Sequence, residues 1–192
     1  MKAIHILAIE TGNEPHALRS VCESWGADVT VSWIGNSSQV VDFLSGSPSH
    51  DIIIISGHGR KNALLLPEVD KSIAATYPYK DEITAKQFSQ FVRLNSTCML
   101  NLCCEAGTQE MANAFLSAGA SHYIGPTRSP NGNAALMYAL EFMYAVIVDG
   151  KSIDQGHAEA INHNDDRASF EIYKTSNQTM EPTSDTRAGD FD

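Results

Sequence analysis

Four consecutive isoleucines, Ile52 to Ile55, followed at once by Ser56-Gly57-His58-Gly59, constrain this chain more than any other feature. A β-branched run without polar alternation fits a strand buried on both faces of a parallel sheet, and the glycines mark where it leaves the sheet. A second apolar run, Met99-Leu-Asn-Leu-Cys-Cys-Glu-Ala-Gly107, ends in the same manner and delivers a cysteine. In open α/β sheets the carboxyl ends of neighbouring parallel strands border the crevice where ligands bind. The two runs therefore predict an imidazole, His58, and a thiol, Cys104, at one crevice. That is the layout of a cysteine nucleophile with an acid/base partner. Cys103 and Cys104 are adjacent, so strand alternation lets only one of them face the crevice.

The rest of the chain alternates between strand-like and helical patterns. Lys2 to Ile9 reads as the first strand, Glu14 to Trp25 as a helix, Asp28 to Ile34 as the second strand, Ser37 to Leu44 as a short helix, and Asp51 to Ser56 as the third strand. Gly57 to Glu82 is too long for an ordinary connection and reads as a functional segment or a small hairpin. Thr84 to Arg93 is an N-capped helix, Thr97 to Leu102 the fourth strand, Thr108 to Ala118 a helix stopped by Gly119, and Ser121 to Gly125 the fifth strand. Asn133 to Val148 is apolar around nearly its whole circumference, Glu141 excepted, and is shorter than a bilayer span. It is expected to be buried against the sheet or to offer a surface to a partner or a second copy. Ser152 to Asn164 is a further helix and Ser169 to Tyr173 a last strand. This alternation predicts an α/β three-layer sandwich, with a mainly parallel sheet of about six strands and helices on both faces. Residues 1–174 are read as a single domain. Residues 175–192, rich in Thr, Ser, Asn, Pro and Asp, are read as a disordered tail.

A chain of 192 residues can bury such a core without disulfides, and its four cysteines show neither a CxxC pair nor zinc spacing, which fits reduced thiols in the cytoplasm. The net charge of -10 argues against a nucleic-acid or anionic-membrane surface. The apolar N-terminal stretch is too short to cross a membrane and reads as a strand. His157, Glu159 and His163 lack the i, i+4 histidine pair of a helical zinc site, so neither a metal nor another cofactor is expected.

Taken in order, several segments resemble caspase-like cysteine peptidases, most closely the bacterial CHAT type. They are His58-Gly59, Cys103-Cys104-Glu105-Ala106-Gly107, Phe115-Leu-Ser-Ala-Gly-Ala120 leading into Tyr123-Ile-Gly125, and Glu82-Ile-Thr-Ala-Lys86 before the fourth strand. The resemblance covers roughly residues 50–165, and the spacing of 46 residues between His58 and Cys104 is near the roughly 50 of caspases. Two positions depart from the family pattern: Cys103 stands where Ala is usual, and Ala106 where Thr is usual.

The resemblance implies Cys104 as the nucleophile, His58 as its acid/base partner, and the backbone amides of Gly59 and Cys104 as the oxyanion hole. Physical chemistry agrees. A thiol must lose its proton to attack a carbonyl, an imidazole with a pKa near 6.5 carries protons at neutral pH, and the helix after Thr108 could favour a thiolate. The implied activity is endopeptidase cleavage of a protein or peptide, controlled by a partner or signal, in a bacterial stress or defence pathway. The resemblance also implies a pocket, beside the first strand's end and the loop after strand five, that selects the residue before the cut. Glu10 would favour Arg or Lys there and Arg128 an acidic residue, with the weight slightly toward Glu10, although each also reads as a solvated loop charge. The alternative is a catalytically silent relative that acts as an interaction module through the helix Asn133 to Val148. A receiver-like domain fits less well, because the acidic cluster it needs after the first strand is missing.

Overall fold

The computed structural model describes residues 1–162 and 164–175. The Ile52–Ser56 strand, β3, is buried along its whole length and lies third in a six-stranded sheet. Before it come β1 (Ala3–Ile9), α1 (Glu14–Ser24), β2 (Asp28–Ile34) and α2 (Ser37–Ser45). After it come β4 (Gly59–Arg60), β5 (Ala63–Leu65), α3 (Lys71–Ala74), β6 (Glu82–Thr84), α4 (Ala85–Phe91), β7 (Cys98–Asn101), α5 (Gln109–Leu116), β8 (His122–Pro126), α6 (Gly132–Ile147), α7 (Ile153–Ala160) and β9 (Phe170–Lys174). The main sheet runs β2-β1-β3-β7-β8-β9, parallel except for β9, which pairs antiparallel with β8.

Alternation along the isoleucine run divides the core in two. Ile53 and Ile55 join Val40, Leu44, Phe88 and Phe115 on the face covered by α2, α4 and α5. Ile52 and Ile54 join Leu18, Cys22, Tyr138 and Phe142 on the face covered by α1, α6 and α7. Two apolar faces on one strand demand a helical layer on each side, which is why the run is unbroken by polar residues. The result is the expected α/β three-layer sandwich.

The long segment after β3 is more than a hairpin. β4, β5 and β6 form a separate three-stranded antiparallel sheet, and α3 sits between β5 and β6. The expected helix from Ser152 to Asn164 ends at Ala160 in the structure, and its start is fixed by a capping box between Ser152 and Gln155. The helix expected at Asn133 to Val148 is α6, which buries most of its surface but leaves Met137 and Tyr144, and Val148 at its C-terminal cap, nearly half exposed. Of the tail expected at 175–192, residues 176–192 lie outside the described residues, as does His163. Among the described residues no helix is long and apolar enough to cross a membrane.

Candidate active site

Parallel strands release their chains at one end of the sheet, so the segments following β1, β3, β7 and β8 share a rim. A cleft of about 250 Å³ opens there, and both His58 and Cys104 line it. His58 arrives directly from the end of β3, and Cys104 from the end of β7, the neighbouring strand. Leu102, Pro130, Ala135 and Leu136 form the apolar wall, and Thr11 and Glu14 contribute polar groups from the segment after β1.

The two adjacent cysteines divide as strand alternation requires. Cys103 is 1% exposed and belongs to the core, while Cys104 is half-buried and faces the cleft. Burial pushes the Cys103 thiol far above its ordinary range, against a hydrogen bond from the Gly57 backbone that acts the other way. Cys103 is held as a neutral thiol, unsuited to nucleophilic attack.

The turn that carries Cys104 is fixed on both flanks. Leu102 N–H donates to the Ile55 carbonyl at 2.9 Å, Glu105 N–H to the Arg128 carbonyl at 3.0 Å, and Gly107 N–H to the Pro126 carbonyl at 2.8 Å. Glu105 holds a left-handed backbone conformation, φ 55°, and its carboxylate accepts the Lys61 N–H at 3.0 Å. A residue other than glycine in that conformation is strained, and the strain persists because these bonds determine the turn. Gly107 has no room for a side chain, since a β-carbon there would overlap the Gly125 carbonyl. The turn 105–108 separates Cys104 from α5, whose first turn is capped by Thr108, with its hydroxyl accepting the Met111 N–H at 3.2 Å.

Two backbone amides near Cys104 donate to no acceptor among the described residues. Among the described residues no acceptor takes the Cys104 N–H. In the β4–β5 ladder Leu65 N–H donates to the His58 carbonyl at 3.0 Å, which makes Gly59 and Leu64 a non-hydrogen-bonded pair. The Gly59 N–H therefore points away from β5. Gly59 also packs against the Cys103-Cys104 backbone, with a β-carbon position only 2.7 Å from the Cys104 carbonyl oxygen.

Glu10 and Arg128 are placed elsewhere. Glu10 is exposed at the end of β1 in a left-handed conformation, φ 46°, and does not contribute to the cleft lining. Arg128 is exposed as well, and its guanidinium donates to the Asp165 carbonyl at 2.5 Å. The acidic side chain in the cleft is that of Glu14, which accepts the Thr11 hydroxyl at 3.0 Å. In sequence Glu14 cannot be told from an acid that merely favours the first turn of its helix through the dipole.

Among the described residues no group of three or more His, Cys, Asp or Glu side chains could hold a metal ion. His157 is buried, with Nδ1 2.7 Å from the Tyr138 hydroxyl, and Glu159 accepts from Lys151.

The sequence matches no family model. Nor does any curated protein match it. Solved structures do match in fold. The Arg-specific cysteine proteinase gingipain R aligns with 90% of this chain and 45% of its own, at TM-score 0.59 and 11% identity. A complex of the pro- and mature domains of a Porphyromonas gingivalis gingipain aligns at TM-score 0.58 and 10% identity, over 90% of this chain and 47% of that one. The Saccharomyces cerevisiae separase–securin complex aligns at TM-score 0.54 and 10% identity, over 90% of this chain and 12% of that one. This chain thus spans less than half the length of each of these matched chains. Together with the strand order and the two helical layers, these likenesses establish the caspase-like α/β fold, the fold group of these cysteine peptidases.

Proposed function

We propose that this protein is a caspase-like cysteine endopeptidase of CHAT type that cuts a protein or peptide substrate. The observation that carries the proposal is the meeting of His58 and Cys104 in one cleft at the carboxyl ends of adjacent parallel strands. His58 takes the proton of Cys104, and the thiolate forms a carbon–sulfur bond with the scissile carbonyl. The Gly59 and Cys104 N–H groups receive the developing oxyanion. The imidazolium returns its proton to the leaving amine as the carbon–nitrogen bond breaks. Water then hydrolyses the thioester, releasing the acid and restoring the thiol.

Glu14 gives the cleft an anionic group beside an apolar wall, which suits the aliphatic stem and cationic head of Lys or Arg before the cut. That assigns to Glu14 the preference for a basic residue expected of Glu10. The prodomain and securin bound to structural neighbours support control by a protein partner. The resemblance to CHAT peptidases supports a place in a bacterial stress or defence pathway. A second reading, a catalytically silent interaction module, draws on the exposed Met137 and Tyr144 of α6 and Val148 at its C-terminal cap.

A peptide-library cleavage profile, run alongside labelling by peptidyl chloromethylketones, tests the proposal. Cleavage abolished in both Cys104→Ala and His58→Ala supports it. A protein that cleaves nothing, and whose Cys104 reacts no faster with the peptidyl reagents than a free thiol does, is the silent module.

A further inference from the structure

We infer that Asn101 and Tyr123 are positioning residues that set the reactivity of Cys104, an inference that rests on the peptidase reading above. Both side chains are completely buried, and neither touches the cleft. Asn101 is the last residue of β7, and its Oδ1 accepts the Cys103 N–H at 3.0 Å. Its amide nitrogen donates to the Tyr123 hydroxyl at 3.1 Å, and that hydroxyl donates to the Ala106 carbonyl at 2.9 Å.

The direction of each bond follows from the one before it. An N–H at Cys103 requires the amide oxygen of Asn101, which leaves the amide NH2 to face Tyr123. The phenol oxygen then receives that donor, and its single proton goes to Ala106. Burial raises the Tyr123 pKa, so the proton stays on the phenol and the bond to Ala106 is kept. The chain has one consistent polarity and closes around Cys104, from the amide before it to the carbonyl two residues after it.

Such a network is more rigid than its separate bonds. In a buried, low-dielectric setting each bond polarises the next, and losing one member leaves buried polar atoms without partners. The turn it braces holds the nucleophile and one proposed oxyanion donor, the Cys104 N–H. A displacement of about 1 Å in such groups costs on the order of 100-fold in rate.

Tyr123→Phe removes one hydroxyl and keeps the ring stacked on Phe115. Tyr138→Phe is the matched control, since it also removes a buried hydroxyl, the one 2.7 Å from His157, but on the opposite core face. Both variants should lose similar thermal stability. Only Tyr123→Phe should lose kcat, by roughly 10- to 100-fold with KM nearly unchanged, and shift the pH midpoint of Cys104 alkylation by iodoacetamide. Asn101→Ala, which removes both bonds of the amide and adds no charge, should move both readouts the same way and serves if Tyr123→Phe does not fold. Wild-type kcat and alkylation in either folded variant, or equal losses in Tyr138→Phe, would overturn the inference. If the wild-type protein cleaves no peptide, the peptidase reading fails, and the alkylation midpoints still decide whether the network tunes the thiol.

Discussion

A β-carbon placed on Gly59 would lie 2.7 Å from the carbonyl oxygen of Cys104 and 2.8 Å from the β-carbon of Cys103. The histidine segment and the cysteine segment are thus in backbone contact, and the absence of a side chain at position 59 permits it. Gly59→Ala forces the two segments apart. We expect a loss of about 1–3 kcal/mol in stability, as for other overpacked sites. Turnover should fall further, on the order of 100-fold, because the proposed oxyanion donors move apart. Denaturant melts with peptide hydrolysis check both, and an active Gly59→Ala variant would refute the proposed geometry.

The four cysteines should separate by reactivity. Burial raises Cys22 to about 11 and Cys98 to about 12, and drives Cys103 higher still. A raised pKa keeps a thiol neutral up to that pH, so at about pH 8 these three are protonated as well as shielded. Iodoacetamide should label only Cys104 in the folded protein and all four after unfolding, as read by peptide mass spectrometry. Cys103→Ala should retain the proposed activity, and labelling of Cys103 ahead of Cys104 would overturn the proposal of Cys104 as nucleophile.

What the sequence made legible was whatever leaves a periodic trace. The unbroken isoleucine run announced a strand with two covered faces, and the glycines behind it announced where His58 would emerge. Alternation also separated Cys103 from Cys104. The sheet of β4, β5 and β6 left no such trace, since strands of two or three residues are too short to show a period. Glu14 was hidden by its second role as a first-turn acid. Asn101 was visible as the lone polar residue in an apolar run, yet only its three-dimensional partners, Cys103, Tyr123 and Ala106, give that polarity a meaning.

Glu14 should govern substrate choice without taking part in bond cleavage. Its carboxylate is held by the Thr11 hydroxyl, which itself lies 3.2 Å from the Ser56 hydroxyl, so the charge is fixed in the cleft. Glu14→Gln keeps shape and hydrogen bonding but removes the charge. For substrates with Lys or Arg before the cut, kcat/KM should drop about tenfold, or about 1.4 kcal/mol, with little change for neutral residues. Uniform loss across a substrate panel would place Glu14 outside specificity.

The opposite end of the sheet carries a site of acid lability. His5 is buried, its Nε2 is 2.9 Å from the Ser32 hydroxyl, and its Nδ1 has no hydrogen-bond partner among the described residues. Phe43 and His50 lie against its ring, with centroids at 4.2 and 4.9 Å. Burial first, and then the charge of His50, lower the His5 pKa to about 4. The unfolded chain, with a histidine near 6.5, binds the proton first, so stability rises with pH between these values. The contribution is complete above about pH 6.5, shrinks as pH falls toward 4, and amounts to about 3 kcal/mol at most. Burial also lowers His122 and His157, which adds dependence of the same sign. The difference between wild type and His5→Leu isolates the His5 share. Urea denaturation from about pH 7.5 down to 4.5 should show a shallower fall in the variant, and parallel curves would show that His5 is not the titrating group.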